Sequence, residues 1–162
     1  MDFAFSEEQE QLRKEARSFL AKESPPSRVR KVMDTADAFD EGLWKKLVEN
    51  GWTALGIPEE YGGFGSFLDL IVVLEEAGRY LLPGPFFSTM GLAVPALLEA
   101  GTDAQKKKTL SAIAAGEARG TLAVTEPSGR YVFRVWFGDS YQHGTRSPEN
   151  SRRSDRSSSG RR

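Results

Sequence analysis

Three times in this chain a hydroxyl residue is followed, three places on, by a side chain able to reach back to it: Ser6 with Gln9, Ser66 with Asp69, and Thr102 with Gln105. In such a pair the hydroxyl accepts a hydrogen bond from the third backbone N–H, and the returning side chain accepts from the N–H of the capping residue, so two otherwise orphaned donors are satisfied at a helix start. Each pair precedes residues that recur at helical spacing. After Ser6 the stripe is Leu12, Ala16, Phe19 and Leu20, with Glu7 and Glu8 placed where the helix dipole favours negative charge, and Ser24-Pro25-Pro26 stops the run. After Ser66 it is Leu70, Val73, Leu74, Ala77 and Leu81. After Thr102, Leu110 and Ile113 face inward, Lys106–Lys108 form a solvated face, and the helix ends near Gly116. Three marked helix starts impose an all-α body.

Two more helices fit between them. One runs from about Asp40 to Asn50 with Leu43, Trp44, Leu47 and Val48 on its buried face, and Asn50-Gly51 supplies a left-handed exit. The other covers roughly 88–100, where Pro95 must kink or split it. Residues 27–38 are polar and read as a loop with a short helix. "WTALGIPEEYGGFG" lacks periodicity and reads as a glycine-rich loop. The character changes at "TLAVTEP", where Thr121, Val124 and Thr125 favour an extended strand ended by Pro127. "RYVFRVWF" reads as a second strand, and a lone hairpin is marginally stable. The edge formed by 120–137, apolar at Val132, Phe133, Val135, Trp136 and Phe137, is expected to lack partners and to promote aggregation or local disorder.

Composition divides the chain in the same place. Residues 1–130 carry fifteen basic and twenty acidic residues, whereas 131–162 carry seven Arg, three acidic residues and no Lys. From Gly138 onward there is no aliphatic residue, which predicts disorder. The acidic N-terminus lacks the pattern of a secretory signal, no apolar stretch approaches the roughly 20 residues that span a bilayer, and there is no Cys. A soluble, cytoplasmic protein is expected.

The chemistry-bearing residues are few. "YGGFG" matches neither phosphate-loop spacing and no strand precedes it, so a tight structural loop is the better reading. His143 is the single histidine, which removes histidine triads and multi-histidine metal sites and leaves no metal site in view. Glu59-Glu60 and Glu75-Glu76 are adjacent pairs whose side chains diverge, which favours solvation or ion pairing over acid–base work. "SRRSDRSSSGRR" could meet phosphate through arginine, yet no aromatic residue interleaves it for base stacking, which disfavours nucleic acid.

Taken in order, "FSEEQEQLRKEARSFL", "GWTALGIPEEYGGFGSFLDLIVVLEEAGRYLLPGPFFST", "LLEAGTDAQKKKTLSAIAAGE" and "LAVTEPSG" resemble the N-terminal part of the flavin-dependent acyl-CoA dehydrogenases over roughly residues 3–130. That family's fold has an N-terminal helical domain, a middle β-barrel domain and a C-terminal helical bundle. The resemblance implies FAD as cofactor, an acyl-CoA thioester as substrate, removal of its α-proton by a Glu of the C-terminal part, and departure of the β-hydrogen as hydride to flavin. It implies that Val124 and Thr125, within the matching Val-Thr-Glu-Pro, lie against the flavin ring, where pre-placed donors would stabilise charge on reduction. Leu122 stands where many members have an aromatic residue. It implies that the stretch Phe86 to Val94, represented by Phe87, Met90 and Val94, lines the acyl-chain end of the pocket, though plain core packing explains these residues nearly as well. It also implies oligomers, homomeric or with other acyl-CoA dehydrogenase subunits.

The pattern fails after Gly129, and nothing after Tyr131 matches. The expected organisation is therefore a helical domain over 1–118, the start of a middle β-domain over 119–130, and a non-family Arg/Ser-rich tail over 131–162. A shifted reading frame or aberrant gene end from about 131 is expected, which the coding DNA would decide. No residue can be assigned as the catalytic base. The chain reads as an acyl-CoA dehydrogenase fragment inactive alone or, alternatively, as a non-catalytic helical module that pairs with a full-length subunit.

Overall fold

The computed structural model describes residues 4–125 and 131–138. The helices are α1 (Glu7–Glu23), α2 (Pro26–Met33), α3 (Glu41–Glu49), α4 (Phe67–Arg79), α5 (Val94–Ala100) and α6 (Asp103–Ala114). A 3₁₀ turn at Glu59–Tyr61 and a π-helical segment at Phe87–Ala93 complete the helical body, and β1 (Arg119–Thr125) pairs antiparallel with β2 (Tyr131–Gly138).

All three capping boxes form. Ser6, Ser66 and Thr102 each accept from the N–H three residues on, and Gln9, Asp69 and Gln105 return to the capping N–H. The polar stretch after Glu23 holds α2, entered through Pro25 with Pro26 in the first turn and seated by Val29 and Val32. Pro95 splits the fourth predicted helix: Val94 donates to the carbonyl of Thr89, five residues back, and an ordinary α-turn resumes after it.

One core joins these elements. Ala16 and Leu20 of α1 meet Leu70, Val73 and Ala77 of α4, and Trp44, Leu47, Phe86, Met90, Val94, Leu110 and Ile113 close around them. Each fully buried Leu or Ile contributes about 2 kcal/mol. The aperiodic loop after Gly51 is buried along most of its first half: Trp52, Thr53, Ala54, Leu55 and Ile57 are all inside. A buried loop must pair its own backbone, and this one does: Gly56 donates to the Phe64 carbonyl at 2.8 Å and Phe64 to the Ala54 carbonyl at 3.1 Å. Gly63 is required there, because a Cβ would collide with the Ile57 carbonyl.

Two expectations need correction. Leu81 is not on the inner face of α4; it lies past the helix end, 71% exposed, with φ of +50°. Leu82 donates to the Ala77 carbonyl across it, so Leu81 takes the left-handed closing position that glycine usually fills. Nor is the first strand without a partner: β1 packs on the π-helical segment and its Gly120 is buried.

Candidate functional site

β1 meets the helical body at the π-helical segment. Thr89 is fully buried on the π-helical segment. Its hydroxyl donates to the Gly120 carbonyl and accepts from the Gly120 N–H, both at 3.1 Å. A buried hydroxyl must find partners, and here it satisfies both backbone groups of one strand residue. The widened π turn and this clamp together fix the register of β1 against the helices. π-turns inside α-helices occur frequently at functional sites.

Of the residues expected at the acyl-chain end, Met90 and Val94 are 0% and 1% exposed and belong to the core cluster, whereas Phe87 is 60% exposed. The three therefore do not share one open surface. Phe87 lines a small cleft of about 370 Å³ with Phe39, Pro85 and Ser88. A larger cleft of about 950 Å³ lies between α5 and α6, walled by Ala96, Leu97, Ala100 and Ala104 and closed by Leu122 of β1, with Lys108 as its cation and Glu99 as its anion. Val124 and Thr125 close β1 by their backbone; their side chains, with Glu126, Pro127, His143 and the arginines beyond Gly138, lie outside the described residues.

Several acidic residues serve ion pairs. Glu76 is fully buried, and Arg17 grips it with two hydrogen bonds, Nε at 3.0 Å and Nη2 at 2.8 Å, while Arg79 Nε stands 3.3 Å away. The Arg17 hydrogen bond holds the Glu76 carboxyl below its ordinary range against the opposing effect of burial. Glu75 pairs with Arg13 at 3.0 Å. Glu23 takes Lys46 at 2.6 Å and Arg28 at 3.1 Å, and Arg28 also holds Asp40, the N-cap of α3, at 2.7 Å. The hydrogen bond from Lys46 depresses Glu23, and that from Arg28 depresses Asp40. Glu59 and Glu60 are exposed on the 3₁₀ turn. Paired acids of this kind tie helices together; among the described residues none is poised as a general base, and no group of His, Cys, Asp or Glu could hold a metal ion.

Sequence reasoning missed Thr89 and Arg119. The clamp from Thr89 spans 31 residues, so no local pattern carries it; a lone threonine inside "FFSTMGLAV" is the one available hint. The guanidinium of Arg119 stacks 4.6 Å over Phe39 and 5.8 Å from Trp44, which no periodicity predicts.

A flavin needs a flat apolar wall, donors at the ring edge and cations for its pyrophosphate. The described residues fit the first of these, through Leu122 and the α5–α6 cleft; Lys108 is the single cation lining that cleft. Among the described residues the fit extends to one apolar wall and not to a phosphate cradle.

Comparison with known proteins bears on the helical body. The family model described as "Acyl-CoA dehydrogenase, N-terminal domain" matches residues 6–117. The chain is 40% identical over 120 residues to acyl-CoA dehydrogenase IpdE2 of Mycobacterium tuberculosis, covering 73% of this chain and 37% of that protein. It is 35% identical over 130 residues to acryloyl-CoA reductase (NADH) of Anaerotignum propionicum, covering 79% and 32%. Among solved structures, butyryl-CoA dehydrogenase from Megasphaera elsdenii superposes with a TM-score of 0.62 at 29% identity, over 78% of this chain and 34% of that one. The chain thus spans about a third of the length of these relatives. No helix among the described residues is long and apolar enough to cross a membrane. The chain belongs to the acyl-CoA dehydrogenase family, of which it presents the N-terminal helical domain.

Proposed function

We propose that this chain supplies the N-terminal helical wall of a FAD-dependent enzyme that dehydrogenates an acyl-CoA thioester between its α and β carbons. The observation that carries the reading is the Thr89–Gly120 clamp, which seats the start of β1 on the helical body and directs the strand toward Val124 and Thr125. In this reading Val124 and Thr125 lie against the flavin ring, and FAD, when bound, supplies the hydride acceptor. Phe87 faces the acyl chain, while Met90 and Val94 support that wall from inside. The helical domain ends at 118, the middle β-domain begins at 119, and the body is soluble and cytoplasmic. Proton abstraction needs a base within hydrogen-bond reach of the substrate, and in the family it comes from the C-terminal part. The 162-residue chain alone is therefore expected to be inactive.

A second reading, a helical module that pairs with a full-length acyl-CoA dehydrogenase subunit, is favoured by one observation: Phe67, Leu68 and Ile71 of α4, with Phe64 before it, are exposed large apolar residues. Purification separates the readings. A colourless chain without acyl-CoA-dependent dye reduction that co-purifies with a related subunit supports the module. Stoichiometric FAD with steady turnover by the pure chain would overturn the claim of inactivity.

A further inference from the structure

Of the three consecutive lysines on α6, Lys108 is set apart by the cleft that it lines. This is the cleft of about 950 Å³ between α5 and α6, formed by Ala96, Leu97 and Ala100 of α5, Ala104 of α6 and Leu122 of β1. Gly101 links the two helices, and a Cβ there would collide with the Leu97 carbonyl, so the link keeps them close. Lys108 stands one helical turn past Ala104 on the same side of α6. Lys106 and Lys107 point away from that lining.

These amines are uncommitted. No ion pair among the described residues engages Lys106, Lys107 or Lys108, whereas Lys45 is tied to Glu41 at 3.0 Å and Lys46 to Glu23 at 2.6 Å. Lys107 and Lys108 are exposed. A cluster of one sign raises the local concentration of the opposite charge, so a polyanion gathers beside α6, while Glu99 disfavours it on the α5 side. The cleft itself suits an alkyl chain, each methylene fully removed from water strengthening binding about fourfold. An acyl-CoA has both parts, an alkyl chain at one end and phosphates at the other, with a thioester carbonyl between them. An amine held against that carbonyl gains from proximity.

We propose that Lys108 is an acylation site whose acyl donor is an acyl-CoA thioester seated in the α5–α6 cleft. The alkyl chain lies in the cleft, the phosphates lie beside Lys106 and Lys107, and the deprotonated Lys108 amine attacks the thioester carbonyl carbon. A C–N bond forms and the C–S bond breaks. The electron pair leaves with the CoA sulfur, which takes the proton that the nitrogen gives up. The products are an amide on Lys108 and free CoA thiol, and nothing is oxidised or reduced. The acyl-CoA is taken from the function proposed above, and the step needs neither flavin nor the α-proton base.

The test incubates the full 162-residue chain with octanoyl-CoA or acetyl-CoA at pH 8 and maps acylated lysines by mass spectrometry. Cleavage after glutamate leaves all three lysines in one peptide between Glu99 and Glu117, and fragmentation separates them. Lys14, exposed on α1, is the reference for intrinsic reactivity. Octanoylation of Lys108 is expected at least fivefold above Lys107 and Lys14. The octanoyl-to-acetyl ratio at Lys108 is expected at least threefold above that at Lys14, because the longer chain adds methylenes to the cleft. Ala104→Gln puts an uncharged polar side chain at an exposed wall position and should bring Lys108 down to the level of Lys107. Lys108→Arg keeps the charge and should remove most of the label without moving it to Lys107. Even labelling of the exposed lysines, an octanoyl-to-acetyl ratio at Lys108 equal to that at Lys14, or a preference that survives Ala104→Gln overturns the proposal. Dye reduction in the same sample reports on the proposed function separately: selective labelling without it still supports the acylation site, and even labelling alongside it still overturns the site.

Discussion

Thr89→Val replaces a buried hydroxyl by a methyl of nearly the same shape. The side chain gains about 0.8 kcal/mol of apolar burial. Against this, the N–H and carbonyl of Gly120, in a buried residue, lose the partner that each holds at 3.1 Å. Leaving a buried backbone group unsatisfied costs about 1–3 kcal/mol, so the pair costs about 2–6 and the net loss is about 1–5 kcal/mol. Thr89→Ser keeps both hydrogen bonds and gives up one methyl, a loss of about 1 kcal/mol. The clamp thus predicts an inverted order in which the polar replacement is the milder one. Urea unfolding followed by far-ultraviolet circular dichroism measures the global term, and exchange of the Gly120 amide measures the local one. If β1 lifts off before the body unfolds, Thr89→Val will accelerate Gly120 exchange more than it lowers the midpoint. A valine variant within about 0.5 kcal/mol of the parent with unchanged exchange, or a serine variant worse than valine, refutes the reasoning.

The pH limb of stability should depend on Glu76. Its folded carboxyl lies below the ordinary value because Arg17 donates to it, so its contribution is present above the unfolded value of about 4.3 and is lost as pH falls through the depressed folded value. Glu76→Gln should lower the melting temperature at pH 7 and flatten its decline below pH 4.5, measured by thermal scans. Leu81→Gly relieves a left-handed conformation that costs a side-chain-bearing residue about 1–2 kcal/mol, offset by about 0.5–1 of added unfolded-state freedom, and it surrenders little burial; urea midpoints should rise by the equivalent of about 0.5–1 kcal/mol. Gly116 has φ of +76°, and a Cβ there would collide with Val48. Gly116→Ala should therefore cost about 2 kcal/mol or more, read in the same assay.

How much of this was legible varies with the range of the interaction. Ser6, Ser66 and Thr102 act on a neighbour three residues away, so a written pattern contains both partners, and all three helix starts agree with it. The stripes on α1 and α4 were legible because one face of a helix must be apolar wherever it is buried. The loop from Trp52 to Ile57 was not: a segment buried all round has no periodicity to show. Pro95 announced a break, and the π register that resolves it required the neighbouring strand. Leu81 continued the helical spacing on paper; only the turn at Tyr80 and Leu82 carries it away from the core. At the candidate site, the position of β1 in the order of elements was visible, and the Thr89 clamp that holds it was not.

By itself, the sequence determined what local physics determines: where helices start, which faces are apolar, that the charge is divided between an acidic body and a basic segment, and, through ordered motifs, the family. The tertiary structure decided everything that couples distant residues. It buried Glu76 beneath Arg17 across 59 positions, turned Met90 and Val94 inward while leaving Phe87 outside, and joined Thr89 to Gly120. The physical reason is that helix caps and stripes are set within one or two turns of chain, whereas a buried polar atom takes whichever partner the packed body brings within 3 Å or so.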